Sequence, residues 1–272
     1  MAFRERGIEI KTPAQIETMR AAGLVVGKTL ELLRESVRPG MTTLELDRIA
    51  EDNIRSSGAT PSFKGYHGFT GSICVSVNDE VVHGIPGDRV IADGDVVSID
   101  CGAIVDGWHG DAAVTVAVGT VPDEALELMR VTEEAMWRGM AAARLGGRVT
   151  DISHAVESYI LSQGSYGVIE DYVGHGIGSA MHQPPNVPNF GRPGKGPKLV
   201  EGLALAVEPM VVLGDQATHA LADDWTVVTD DGAVAAHFEN TFTLTSRGAW
   251  VLTALDGGEA KLTELGVPYG GH

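Results

Sequence analysis

The chain has 272 residues, a formal charge of −17 and 43% apolar residues, with glycine at 35 positions. That apolar fraction excludes collagen-like and fully disordered chains, and the length gives one large domain or two small ones with a sizeable core. The acidic balance excludes a protein that grips nucleic acid or an anionic membrane with its whole surface, although a local basic patch stays open.

The first fifteen residues carry charges throughout and no apolar stretch, so they do not read as a secretory signal. Thr12-Pro13 reads as an N-cap followed by a proline at the first helical position. An apolar stripe through Ile16, Met19, Ala22, Leu24, Val26, Leu30 and Leu33 predicts a helix that Pro39-Gly40 stops. A second helix starts near Thr42-Thr43 and runs through Leu46, Ile49 and Ile54 to Gly58. The period then changes to alternation over 72–78, and two β-branched runs, 96–105 and 111–118, flank Asp106-Gly107, a hairpin signal.

The pattern repeats. Pro122 opens a helical stretch in which Met129-Arg130 echoes Met19-Arg20. Gly146, Ile152, Ile160 and Gly164 recur at one constant offset from Gly40, Leu46, Ile54 and Gly58. Helix–helix–strands thus occurs twice, which predicts an internally duplicated α+β architecture with a site between the halves. Residues 183–199, rich in Pro, Gly and Asn, read as a loop, and 203–213, 225–229 and 234–244 as further strands. The Gly-rich tail after Asp256 is expected to fray. The expected organisation is a lead-in over 1–11, a single domain over 12–255 with halves of about 12–119 and 120–255, and a tail over 256–272. Cys74 and Cys101 are too few for a disulfide framework and point to a reducing compartment. No segment approaches the roughly 20 apolar residues of a membrane span, so the expected location is the cytoplasm.

Two carboxylates bracket the hairpin. A two-residue turn at Asp106-Gly107 sets Asp100 opposite Ala113, with Asp111 two residues from Ala113 on the same face. The acids are then diagonal neighbours, about 7–8 Å apart at Cα, and like charges on one face are costly without a cation between them. Glu208 interrupts the apolar run 204–211, and Glu239 the run 236–242. A lone acid in an apolar strand needs a cation or a cage of hydrogen bonds. Gly174 and Gly176 flank His175 and let its backbone approach something closely. Four carboxylates and one imidazole, without cysteine, suit one or two Mn, Fe, Co or Zn ions in a hydrolytic site better than a structural zinc. Other chemistries fare worse. Ser179 stands where a G-x-G-x-x-G loop from Gly174 needs its last glycine, and G-x-S-x-G, H-E-x-x-H and G-x-x-x-x-G-K-[ST] are absent. Neither cysteine has surroundings that would activate a thiol.

Taken together, Val82-His83-Gly84-Ile85-Pro86, Ser98-Ile99-Asp100-Cys101-Gly102, Gly107-Trp108-His109-Gly110-Asp111, Gly174-His175-Gly176-Ile177-Gly178, Val207-Glu208-Pro209-Met210 and Phe238-Glu239-Asn240-Thr241 resemble type I methionine aminopeptidase. The likeness spans about residues 10–245 and implies the duplicated α+β "pita-bread" fold, with a central antiparallel sheet and outer helices. It implies removal of the initiator methionine from nascent polypeptides that carry a small second residue. The metal ligands implied are Asp100, Asp111, His175, Glu208 and Glu239. Asp111 and Glu239 would bridge two divalent ions (Co, Mn, Fe or Zn), with Asp100 serving one ion and His175 and Glu208 the other. Glu208 would also shuttle the proton of the attacking water. His83 and His182 match the family's non-ligand histidines, which stabilise the tetrahedral oxyanion. Phe63, Tyr66, Phe69, Cys74, Met181 and Trp225 match the methionine pocket.

His67, His109, His154, His219, His237 and His272 receive no catalytic role, His109 being read as structural. With no C-x-x-C and no P-x-x-P before residue 12, the chain resembles the short bacterial form, expected to be a monomer that touches no membrane. Contact with the ribosome near the exit tunnel would rest on loops such as 183–199, which contains Arg192, Lys195 and Lys198 and no acid. Two rivals remain: an X-Pro aminopeptidase of the same fold, and a non-catalytic relative that binds peptides, in which ligand positions are typically lost.

Overall fold

Thr12 caps helix α1 (Pro13–Ser36) reciprocally: its hydroxyl accepts the Gln15 N–H, and the Gln15 side chain accepts the Thr12 N–H at 2.8 Å. Thr42 and Glu45 repeat the device at α2 (Thr43–Ser56). Such boxes satisfy two N–H groups that the first helical turn leaves free. The strands of the first half are β1 (Thr60–Pro61), β2 (Ile73–Val77), β3 (Glu80–Val82), β4 (Val96–Val105) and β5 (Trp108–Ala117). Helices α3 (Asp123–Ala142) and α4 (Val149–Gln163) open the second half. The strands β6 (Gly167–Val168), β7 (Gly174–Gly176), β8 (Gln183–Val187), β9 (Ala204–Val207), β10 (Met210–Val212), β11 (Thr218–Ala220) and β12 (Val227–Thr229) follow. The chain closes with β13 (Ala235–His237), β14 (Glu239–Thr245), β15 (Gly248–Val251) and α5 (Glu259–Glu264). This computed structural model describes residues 7–272, so the first part of the lead-in, residues 1–6, lies outside the described residues.

Asp106 and Gly107 both have positive φ, 47° and 80°, as a two-residue hairpin turn requires. The turn pairs Asp100 with Ala113, as read from the sequence, and Gly102 with Asp111. The central sheet runs β1-β4-β5-β14-β9-β7-β8, with β2 also on β4 and β15 on β14. Its order mirrors about the β5–β14 boundary, β2-β4-β5 against β7-β9-β14. Helices α1 and α2 bring Val26, Leu33, Leu46 and Ile54 onto Val97, Ile99 and Cys101. Helices α3 and α4 bring Met136, Ile152 and Val156 onto Leu205, Val207 and Phe242. The halves form the duplicated pita-bread arrangement that the resemblance implies. Alternation along β4 turns Asp100 away from the helices, onto the opposite face from Cys101.

The seam between the halves is short. Strands β5 and β14 share only the pairs Glu239↔Ala113 and Asn240↔Ala112. Two threonine hydroxyls extend it. Thr241 Oγ1 accepts the Asp111 N–H and donates to the Asp111 carbonyl, and Thr115 Oγ1 does the same for His237.

Four expectations need correction. The stretch 203–213 is two strands, because Pro209 has no N–H for a ladder: β9 stays in the central sheet and β10 joins β13 and β6 in another. The stretch 234–244 divides at Phe238 in the same way, and Met210 pairs with His237 where the two strands change sheets. The tail does not fray. Leu262 and Val267 enter the α3–α4 core, and the Gly270 N–H reaches the Ala249 carbonyl at 2.7 Å. Arg20 of α1 also clamps the carbonyls of Leu252, Ala254 and Leu255 ahead of it. Residues 183–187 form β8, so the loop proper starts later. No helix among the described residues is long and apolar enough to cross a membrane.

Helix α1 crosses β5 with nothing between the backbones: a Cβ on Gly110 would lie 2.8 Å from the Gly23 nitrogen, and one on Gly23 only 2.2 Å from the Leu252 oxygen. Gly23→Ala gains about 1 kcal/mol of helix propensity but forces backbone apart in a packed core, at a cost of about 1–3 kcal/mol or more. A net fall in Tm of about 5 °C is expected in thermal unfolding; an unchanged or higher Tm would show that the crossing has slack.

Candidate metal centre and substrate pocket

The carboxylates come from both halves. A row across the sheet runs from Cys74 to Asp100, Ala113 and Glu239, strand to strand. Asp111 sits two residues from Ala113 on β5, on the same face, and Glu208 stands where β9 ends before Pro209. His175 lies in β7. A Cβ at Gly174 would meet the Ala206 oxygen at 2.4 Å, and one at Gly176 the Pro184 oxygen at 2.3 Å, so both flanks must lack side chains. His175 Nδ1 is 3.0 Å from the Gly176 carbonyl, which can only accept; Nδ1 therefore carries the proton and Nε2 keeps its lone pair. That Nε2 is 3.4 Å from Glu208 Oε1.

Asp111, His175 and Glu239 each offer a ligand atom within 4.8 Å of the others. Glu208, His237 and Glu239 form a second such group, so Glu239 belongs to both. Asp100 lines the same cavity but belongs to neither triplet. His237 is the residue that sequence reasoning missed. One signal could have found it: it stands two residues before Glu239, across the buried Phe238, and alternation gives both the same face.

Every residue assigned to the site on the sequence lines one cavity of about 140 Å³. Phe63, Phe69, Cys74 and Met181 make an apolar lobe beside the carboxylates, closed by Tyr66 and Trp225. His182 stands at the exposed rim, its Nδ1 2.9 Å from the Tyr66 hydroxyl and its ring edge-on to His175. His83 follows β3 in the left-handed region, φ 62°, with Tyr172 and Trp225 edge-on to its ring. Such a conformation costs about 1–2 kcal/mol in a residue with a Cβ and fixes where the imidazole points.

Of the other histidines, His67 packs edge-on against Tyr66 at the rim, its ring centroid 4.4 Å away. His109 is held by Ser62 at 3.0 Å, and on the surface His219 pairs with Asp230 and His272 with Glu17. The lead-in buttresses the rim. Glu9 accepts hydrogen bonds from the Ser179 backbone and hydroxyl and from Gln183, which flank Met181 and His182.

Burial, and then mutual repulsion, push the carboxyls of Asp111, Glu208 and Glu239 well up. Burial raises Asp100 to about 7, against hydrogen bonds from Asp111 and the Cys101 N–H. Burial also lowers His175 and His237 to about 3 and His83 to about 4, helped in each case by a second histidine. Neutral imidazoles therefore face acids that cannot all ionise unaided. Asp100 Oδ1, Asp111 Oδ1, Glu208 Oε1, Glu239 Oε1 and His237 Nε2 are buried without a hydrogen-bond partner. A cage of carboxylates and neutral imidazoles with orphaned donor atoms fits divalent cations.

These shifts set a pH signature. A carboxyl raised in the folded state favours folding below its unfolded value, near 4, and loses that contribution as pH rises through its folded value, about 7 for Asp100. The lowered histidines act the other way, adding stability as pH rises toward their unfolded value of 6.5. The chelated protein should therefore lose Tm above about pH 6.5, where only the carboxyl effect remains. The metal-loaded protein should hold or gain Tm, since ligand deprotonation favours binding. Parallel Tm profiles with and without chelator would contradict the cage.

The model of metallopeptidase family M24 matches residues 17–246. The chain is similar to a methionine aminopeptidase of Clostridium acetobutylicum, 53% identical over 90% of this chain and 98% of the relative. The crystal structure of methionine aminopeptidase from Thermotoga maritima superposes with a TM-score of 0.89 at 43% identity, over 91% of this chain and 99% of that one. Prolidase from Pyrococcus furiosus shares the fold, with a TM-score of 0.72 at 24% identity, but the chain spans only 65% of its length.

Proposed function

The chain belongs to metallopeptidase family M24, and from that membership we propose that it removes N-terminal methionine from peptide chains. The observation that carries this reading is the single cavity in which an apolar lobe adjoins the buried carboxylates. At about 140 Å³ the cavity is far below the roughly 300–1,000 Å³ of sites for whole drug-sized ligands. It suits one unbranched side chain with its adjoining peptide bond, and a flexible Met181 wall suits a thioether.

We assign Asp100, Asp111, His175, Glu208 and Glu239 as the residues that would hold two divalent ions, Glu239 belonging to both ligand triplets. When bound, the ions would supply the positive charge that polarises the scissile carbonyl and activates water. Glu208, beside His175, takes the proton of the attacking water and returns it to the leaving amine. His83, neutral because it is buried, offers an N–H to the oxygen that gains charge. His182, braced by Tyr66, serves the same group from the rim.

The deciding experiment compares Met-Ala-Ser with Ala-Pro-Ser, using chelated and then metal-reconstituted enzyme. Release of Met only after reconstitution, with Ala-Pro-Ser intact, is the expected result. Cleavage of Ala-Pro-Ser would favour the proline-directed rival, and no cleavage of either peptide the peptide-binding one.

The proposed setting is the cytoplasm, as a monomer acting on nascent chains; both cysteines are free, which suits a reducing compartment. Arg192, Lys195 and Lys198 are exposed on a loop anchored to α4 through Thr150 and Asp151, a rigid basic patch suited to ribosomal RNA. Unchanged ribosome co-sedimentation after reversal of these three charges would overturn that contact.

A further inference from the structure

His237 is not among the ligands that the resemblance implies, yet its surroundings are those of a ligand. The side chain is 2% exposed. Its Nε2 lies 3.8 Å from Glu208 Oε2 and 4.0 Å from Glu239 Oε2, and has no hydrogen-bond partner. Those separations are too long for hydrogen bonds, which run to about 3.2 Å. They suit atoms that face a common ion: two ligand atoms about 2.1 Å from one cation lie at most about 4.2 Å apart. The backbone admits little slack, because Thr115 Oγ1 holds both the N–H and the carbonyl of His237, and the β10–β13 ladder sets the residue opposite Met210. Glu208 thereby stands between two imidazoles, with His175 on Oε1 and His237 on Oε2.

We propose that His237 is a metal ligand, which completes with Glu208 and Glu239 a site for a divalent cation. The inference rests on the metallopeptidase reading of the centre. It also bears on which metal the centre takes. Imidazole nitrogen suits zinc and iron, whereas carboxylate oxygen suits manganese and magnesium. A second imidazole therefore biases one position of the centre toward the nitrogen-preferring metals.

The test measures Zn(II) and Mn(II) affinity by chelator competition in the wild type, H237A and H237Q, with H175A as the control. Glutamine keeps bulk and hydrogen-bonding capacity but is a poor ligand, so both His237 variants should behave alike. Zn(II) affinity should fall by about 30-fold or more, on the scale at which metal sites respond to lost partners. Mn(II) affinity should change less than about threefold, and X-ray absorption of the zinc-loaded protein should count one imidazole fewer. Unfolding of the metal-free variants checks that each is folded. Wild-type zinc affinity in H237Q, with loss in H175A, would overturn the His237 assignment and leave the metal centre standing. Wild-type affinity in H175A as well would overturn the metal-centre reading, and this inference with it.

Discussion

Glu239→Gln is expected to leave a folded protein that no longer loads its metal centre and turns over about 10³-fold more slowly, a loss of several kcal/mol of charge stabilisation. The size follows from position. Glu239 is the one residue in both ligand triplets, so a single neutral amide weakens both at once. It is also 3% exposed, so water cannot replace the lost charge. The metal-free variant should be no less stable than the metal-free wild type, because one of four mutually repelling buried acids is gone. Metal titration, kcat and Tm with and without chelator read the three effects separately. Wild-type kcat at saturating metal would remove Glu239 from the ligands, and a lower metal-free Tm would show that its role is in the seam.

His83 should separate binding of metal from chemistry. His83→Asn is the informative variant, because asparagine tolerates the left-handed backbone that the position imposes. kcat should fall by about 10²–10³-fold, the usual cost of losing a donor to a developing oxyanion, while metal affinity stays at the wild-type value, since His83 belongs to neither triplet. Its value of about 4 puts no His83 titration between pH 5.5 and 8, so the wild-type rate should show no step near 6.5 from this group. Loss of metal in the variant would make His83 a ligand, and a rate step that vanished with it would show the imidazole charging during turnover.

The hairpin that carries Asp100 and Asp111 was legible because its information is local: an Asp-Gly turn and strict alternation determine partner and face. The helix starts were legible for the same reason, Thr12 with Gln15 and Thr42 with Glu45 being contained in four residues each. The duplication showed as a recurring offset because each half must cover its own sheet. What escaped depends on partners distant in the chain. An apolar run stays apolar whichever sheet it joins, so nothing short of Pro209 marks the change of sheet at Glu208, and nothing at all marks the one at Phe238. The local sign at His237 in Ala-Ala-His-Phe-Glu is only its spacing from Glu239; the rest of its meaning comes from Glu208, brought beside it by β10. The tail misled through composition. Gly257, Gly258 and Gly266 are left-handed turn residues that fold Leu262 and Val267 onto the core, so there glycine marks tight turns rather than looseness.

Strand β14 lies between β5 and β9 in the sheet, yet it is the last of the three to be synthesised. Until it emerges, the hairpin of the first half and the strand of the second each present an unpaired edge, open to strands of other chains. A product ending before it holds Asp100, Asp111, His175 and Glu208 in two unjoined half-sheets. Sheet closure and the last carboxylate of the proposed metal centre therefore arrive together, in a segment of 7 residues. Copies that stop before β14 would expose these edges to aggregation and would lack Glu239, the residue common to both ligand triplets.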